Sequence, residues 1–260
     1  MQALRTAATG MQAQELNVEV ISNNIANLRT TGFKRQRAEF QDLLYQDLRQ
    51  VGSTSSEQGT MVPSGIQIGT GVRTASTPRV HSQGTLESTD RTFDVAVQGE
   101  GYFQITMPDG TLAYTRDGSF DLDGTGKLVT KDGFQVGGGI TIPVTAQNVT
   151  INSSGLVQTV DATGATTDIG QLQLAHFINK GGLEAKGNNL FTVTPSSGAA
   201  TLDNPGTNGA GTIMQKFTEA SNVSAVSEIS DLIEAQRAYE MNARVIRAAD
   251  DMLSNTNLTH

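Results

Sequence analysis

The two ends of this 260-residue chain carry the same periodicity, and that constrains the fold more than any other feature. Steps of three and four from the start land on Leu4, Ala7, Met11, Gln14, Val18, Ile21, Ile25 and Leu28, of which Gln14 alone is not apolar. The far end runs through Ala225, Ile229, Leu232, Gln236, Tyr239, Ala243, Ile246, Asp250 and Leu253, with Gln236 and Asp250 its polar members. An apolar repeat of about 3.5 residues holds one stripe toward a partner helix, so each end reads as a coiled-coil seam. Residues 2–28 lack proline, and Gly10 is their one weak helix former, which predicts a single helix of about 27 residues and about 40 Å. A second helix is predicted over 224–253, with Ser221, Asn222 and Ser224 as candidate caps and Glu228 and Asp231 near the positive end of its dipole. The chain leaves through one helix and returns through the other, so an antiparallel pair is expected, with Gln14 near Gln236 as a polar layer fixing register.

Between the helices the period changes. Val95/Val97, Phe103/Ile105, Phe120/Leu122, Phe134/Val136, Ile140/Ile142, Val149/Ile151 and Leu172/Leu174 are apolar pairs two apart, as strands require. Asp109-Gly110, Asp117-Gly118, Asp123-Gly124 and Asp132-Gly133 lie among them and read as two-residue hairpin turns with positive φ at both residues. Gly32, in Thr30-Thr31-Gly32-Phe33, is placed to end the first helix in a left-handed turn. Residues 34–50 fit either helix or extended chain, and Val51–Thr77, rich in Gly, Ser, Thr and Gln, reads as extended or loop-like. The expected fold class is α+β and elongated: paired terminal coiled-coil helices (1–30 with 220–260), an extended connector (31–73) and a mostly antiparallel β domain (74–219).

Charge and composition narrow the function. Net charge is −8, with 5% aromatic residues and no tryptophan, and residues 1–50 carry a net +1, so the body is acidic and nucleic acid is not an expected partner. There is no cysteine, which removes disulfides and thiolate chemistry. No secretory signal pattern or membrane span is read. His81, His176 and His260 form no HExxH, and neither a GxSxG nor a phosphate loop occurs. Gly69-Thr-Gly71 and Gly99-Glu-Gly101 lack the third glycine of a dinucleotide fingerprint and read as turns or strand ends. Asp121-x-Asp123-x-Thr125-Gly126, ending at Asp132, follows calcium-loop spacing, but its flanks read as strands, so it is assigned to hairpin turns. The Asn148, Asn152, Asn222 and Asn257 acceptor patterns carry no weight in so Asn-, Ser- and Thr-rich a chain. No metal, cofactor or catalytic residue is expected. Numerous carboxylates leave a secreted carbohydrate-processing enzyme on a β scaffold as the remote alternative.

Ser22-Asn23-Asn24-Ile25-Ala26-Asn27 with Thr30-Thr31-Gly32-Phe33-Lys34-Arg35 resembles the N-terminal signature of bacterial flagellar axial proteins, the rod and hook family. Glu219-Ala-Ser-Asn-Val223 and Gln236-Arg237-Ala238-Tyr239-Glu240-Met241-Asn242 resemble its C-terminal signature. Asp94-Val-Ala-Val-Gln-Gly99-Glu-Gly101-Tyr102-Phe103 and Tyr114-Thr-Arg-Asp-Gly118-Ser-Phe120 resemble its β-domain motifs. Within the family, Phe40-Gln-Asp-Leu-Leu-Tyr45-Gln46, Ser55-Ser-Glu-Gln58 and Pro63-Ser-Gly65 through Val72 are most similar to the distal-rod branch; proximal rod or hook is the near alternative. Arg5 and Leu28-Arg29 depart from the commoner pattern.

The resemblance implies export unfolded by the flagellar type III apparatus without a cleaved signal. It then implies helical self-assembly into a hollow, torque-bearing tube crossing the periplasm in the basal body. The helices would line the inner layer, the β domain would form the outer one, and the 46–72 stretch would lie along neighbouring subunits. Implied partners are other copies of the chain, proximal rod proteins, the hook protein, the outer-ring bushing and the export apparatus. The assembly interface is expected on Leu4, Met11, Val18, Ile21, Ile25, Leu28, Ile229, Leu232, Gln236, Tyr239, Ile246 and Leu253 of the stripes, and on Asn24, Asn27, Gly32, Phe33 and Arg237 of the signatures.

Overall fold

The computed structural model describes residues 2–49, 64–144, 146–162 and 164–258. It is an α+β fold with a helix at each end, α1 (Gln2–Ala26) and α2 (Ala225–Leu258), and short, antiparallel strands between them. The chain divides into two compact units: Met1–Ile25 with Gln36–Pro78 and Ser224–His260, and Ala26–Arg35 with Arg79–Val223.

In the first unit the described residues 36–49 resolve the helix-or-extended ambiguity to extended chain with two strands. Glu39–Asp42 pairs with Val72–Ser76, and Tyr45–Arg49 pairs with Ile66–Gly69. The part of the expected extended segment from 50 to 63, with the Ser55–Gln58 motif and Pro63, lies outside the described residues. Gly71 sits where the two ribbons meet: its carbonyl accepts from Leu43 N at 2.9 Å, and a Cβ there would come within 2.3 Å of Thr9 Oγ1 on α1. The Gly69–Gly71 pair is therefore a strand-end device.

In the second unit a nine-stranded sheet is built around Tyr102–Thr106, which pairs with Leu112–Thr115 on one side and with Gln135–Val136 and Leu174–His176 on the other. A three-stranded meander follows, Ala146–Ile151, Leu156–Asp161 and Thr166–Gln171. The central strand is buried on both faces. Phe103 and Ile105 enter a core with Val95, Phe120, Leu128 and Leu174, while Tyr102 enters a second cluster with Tyr114, Phe177 and Phe191. Every member of the seven period-2 pairs lies in the first core or packs against it. Alternation finds these residues because successive strand side chains face opposite ways, and the inward set must be apolar.

The turns differ from the expected two-residue type. Five of them, spanning 107–111, 123–127, 130–134, 152–156 and 161–165, share one geometry: the first N–H donates to the fifth carbonyl and the fourth N–H to the first, at 2.8–3.1 Å. The fourth residue is always glycine, with φ of 80–82°. These are three-residue loops whose glycine takes the left-handed position. None of the four aspartates takes a positive φ, since a left-handed aspartate costs energy that one left-handed glycine avoids. Asp123 instead accepts at Oδ1 from Thr125 N and Lys127 N, both at 2.8 Å, so the calcium-like spacing serves a turn. Asp117-Gly118 closes no hairpin: a Cβ on Gly118 would fall 1.6 Å from the Val95 carbonyl oxygen, so this glycine permits a strand crossing.

Candidate assembly surfaces

Residues from distant parts of the sequence converge on one buried carboxylate in the β-rich unit. Glu219, fully buried, accepts at Oε1 from Lys34 Nζ at 2.6 Å and Gly84 N at 2.8 Å, and at Oε2 from Arg116 Nε. Arg116 also donates from Nη1 to the Gly101 carbonyl and from Nη2 to those of Val97 and Gly99. Lys34 Nζ also donates to the Ser82 carbonyl at 2.8 Å. Buried ions are tolerated where pairing and hydrogen bonds offset their lost hydration, and here both carboxylate oxygens of Glu219 are engaged by donors. Burial alone pushes the Glu219 carboxyl up, but Arg116 and Lys34 outweigh it and hold it below the usual carboxylate range. Burial, with smaller repulsions from Arg116 and Lys180, pulls the Lys34 ammonium below its ordinary value against the attraction of Glu219.

Two further elements lock the same region. Gly32 adopts φ +70°, as the sequence predicted, and its N–H donates to the Glu219 carbonyl at 2.8 Å. A Cβ at Gly32 would approach Asp117 N to 2.7 Å. Asn222, expected as a helix cap, is a strand clamp instead: it accepts from Arg35 N at 2.7 Å and donates to the carbonyls of Val80 and Ser82 at 2.8 and 3.1 Å. An amide that satisfies three backbone groups stabilises more here than at a single helix-end N–H.

In the helical unit, Asn24 plays the equivalent part. Its side chain donates to Gln36 O at 2.8 Å, accepts from Gln36 N at 2.9 Å, and donates to Glu228 Oε2 at 3.0 Å. The two helices also meet where a Cβ on Gly10 would lie 2.9 Å from Asn242 Nδ2. These two points run in opposite directions along the sequence. Carried along both helices, their register puts Gln14 level with Ala238, and Gln236 is exposed, so the expected Gln14–Gln236 layer is replaced by Asn24–Glu228. Gln14 Oε1 accepts from its own helix, from Asn17 Nδ2 at 3.5 Å. Among the described side chains of α2 the buried positions are Glu228, Ala235 and Ala249, multiples of seven apart, with the half-buried Asn242 in the same series. Small and amide side chains take this face because it passes close to Gly10 and Asn24.

The apolar stripe on α2 therefore lies beside the buried face. Ile229 is 51%, Tyr239 44% and Leu253 38% exposed; Arg237 is also exposed, and Leu232 and Ile246 are half-buried. On α1, Ile21 and Asn24 are buried, while Leu4, Met11, Val18 and Ile25 are half-buried. Asn27, Leu28 and Phe33 are half-buried in the β-rich unit, and Gly32 is buried. Among the described residues a second exposed apolar surface is the ribbon of Tyr45–Arg49 and Ile66–Gly69, where Leu48 and Ile66 are 60% and 50% exposed, with Leu44 at 87% beside it. An isolated two-stranded ribbon is marginal in water, and large apolar groups on it mark a surface awaiting cover.

Sequence reasoning overlooked Lys34, Arg116, Glu219, Asn222 and Glu228 as organising residues. A signal was available: each ion of the Lys34–Glu219–Arg116 cluster lies in a different one of the resembling motifs, where periodicity gives a charged residue no role.

Comparison with known proteins places these features in context. Residues 4–34 match the model described as flagella basal body rod protein, 96–159 that of the flagellar hook protein FlgE/F/G D1 domain, and 214–258 that of the flagellar basal body rod FlgEFG protein C-terminal. The chain is 58% identical over 258 residues to the flagellar basal-body rod protein FlgG of Caulobacter vibrioides, covering 99% of this chain and 98% of the relative. It is 49% identical over 255 residues to that of Agrobacterium fabrum, covering 98% and 97%. It is 40% identical over 258 residues to that of Bacillus subtilis, covering 97% of each.

Proposed function

The chain belongs to the FlgG family of flagellar basal-body rod proteins, and on that premise we propose that it is a structural subunit of the distal rod, whose work is mechanical. Copies polymerise into a rigid, hollow, helical shaft that carries torque across the periplasm to the hook. The observation that carries this reading is the apolar surface left open on folded elements: the α2 stripe of Val226, Ile229, Ile233 and Tyr239, and the Leu48/Ile66 ribbon. A monomer gains nothing by exposing these groups, whereas neighbouring copies covering them gain roughly 25 cal/mol per Å² of apolar surface removed from water. Within each subunit the helices pair as an antiparallel coiled coil, supported by the contacts at Asn24–Glu228 and Gly10–Asn242. Besides other copies, the partners are the proximal rod proteins, the hook protein, the outer-ring bushing and the type III export apparatus. The assembly contacts include the exposed Ile229, Gln236, Arg237, Tyr239 and Leu253 and the half-buried apolar residues of both helices.

No described helix is long and apolar enough to cross a membrane. Location in the rod is supported by the basal-body rod relatives. The test is Ile229→Asp and Leu48→Asp in purified full-length protein, followed by sedimentation and electron microscopy. Both variants keep the wild-type circular dichroism spectrum and stay in the supernatant while wild type pellets as filaments; normal filaments from both overturn the reading.

A further inference from the structure

Lys34 and Arg116 of the Lys34–Glu219–Arg116 cluster line a cavity of about 210 Å³ whose wall also holds His81, Glu100, Tyr102 and Lys180. Its charges do not balance. Lys34, Arg116 and Lys180 border it, and Arg79 lies nearby, 5.4 Å above the Phe191 ring that packs against His81. The carboxylates facing these cations are Glu219 and Glu100. The His81 ring registers the same excess: burial first, then Lys34, Lys180 and Arg79, lowers its pKa to about 4. The ring Nδ1 is already engaged with Tyr102 Oη at 2.8 Å, so the imidazole serves as part of the wall.

Arg116 has five N–H hydrogens and four partners, Glu219 and three backbone carbonyls, which leaves one on Nη1. Lys34 Nζ has three hydrogens and two partners, Glu219 and the Ser82 carbonyl, which leaves one. Lys180 Nζ has one partner, Glu100 Oε1 at 2.5 Å, which leaves two. The Glu100 side chain is 63% exposed, so it reaches in from solvent and can swing away at little cost.

We propose that this cavity is a carboxylate-binding site, with the incoming group held between the ammonium groups of Lys34 and Lys180 and with Glu100 as the displaceable internal occupant. The carboxylate comes either from an acidic side chain of a second copy of this chain, whose net charge is −8, or from a small free acid. Only the first source rests on the polymer reading.

The probe is sodium acetate, titrated into full-length protein against chloride at constant ionic strength, with the ring resonances of the three histidines followed by NMR. The His81 signal shifts and saturates. Lys180→Ala weakens the apparent affinity roughly tenfold or more, the scale of one lost charge-assisted hydrogen bond, and Glu100→Gln strengthens it by removing the competitor. An unchanged amide fingerprint establishes that both variants fold. A His81 response no larger than that to chloride, or equal affinities in all three proteins, overturns the site. The source is read by sedimentation: if a second copy supplies the group, saturating acetate and Lys180→Ala each raise the concentration needed for assembly. If a free acid is the ligand, assembly is unchanged while acetate binding persists. Wild type that never assembles sinks the polymer reading and leaves the acetate result standing.

Discussion

Glu219→Gln and Lys34→Met remove opposite halves of the same buried contact and should differ sharply in cost. Glutamine can keep its amide oxygen toward Gly84 N, but its NH2 then faces Arg116 Nε, donor against donor, and two buried cations lose their only shared anion. Breaking a buried ion pair from one side costs about 3–5 kcal/mol, a large part of a typical total of roughly 5–15 kcal/mol. Lys34→Met leaves nothing unpaired. Glu219 keeps Arg116 and Gly84 N, and the Ser82 carbonyl keeps Asn222 Nδ2 at 3.1 Å. Burial already disfavours the Lys34 ammonium, so its loss should cost about 1 kcal/mol or less, as when apolar groups replace buried ions. The assay is urea unfolding at neutral pH followed by tyrosine fluorescence; the chain has no tryptophan, and Tyr102 and Tyr114 lie in the second core cluster. The slopes should match wild type, so that the midpoints report stability. Costs within about 1 kcal/mol of each other would refute the reasoning, because a symmetrical pair would then describe the contact better than an anion shared by two cations.

Phe103→Ala, at 1% exposure with its ring 5.2 Å from that of Phe120, should destabilise the β-rich unit by about 3–5 kcal/mol in the same urea assay. Gly32→Ala must hold alanine at φ +70° with its Cβ 2.7 Å from Asp117 N; protein that unfolds at the wild-type midpoint would mean the turn is not enforced. His81 titrates near 6.5 when unfolded and at about 4 when folded, so the unfolded chain binds more protons between those values. Stability should therefore be complete above pH 6.5 and fall as pH drops toward 4, a slope that His81→Gln flattens. The Glu219 contribution is lost at lower pH, as the pH falls through its depressed folded value.

Much of the fold is legible in the sequence because it rests on local rules. Alternating apolar pairs mark the β core, since a strand has only two faces, and uninterrupted helical periodicity marks α1 and α2 to within a few residues at most ends. Gly32 is legible too, because a left-handed residue after a helix is a backbone requirement. The family motifs were readable as a resemblance, yet their chemistry was not: Lys34, Arg116 and Glu219 lie up to 185 residues apart, and only the folded chain brings them to one carboxylate. The turn type likewise depended on how strands paired, which moved the left-handed position to the fourth residue of a longer loop. On α2 the periodicity was right and the face was not, because contact with Gly10 and Asn24 draws small and amide residues inward and leaves Ile229 and Tyr239 outside. Period is a property of the backbone and can be read along one chain. Which face is buried, and which buried charge finds its partner, depends on what packs against it.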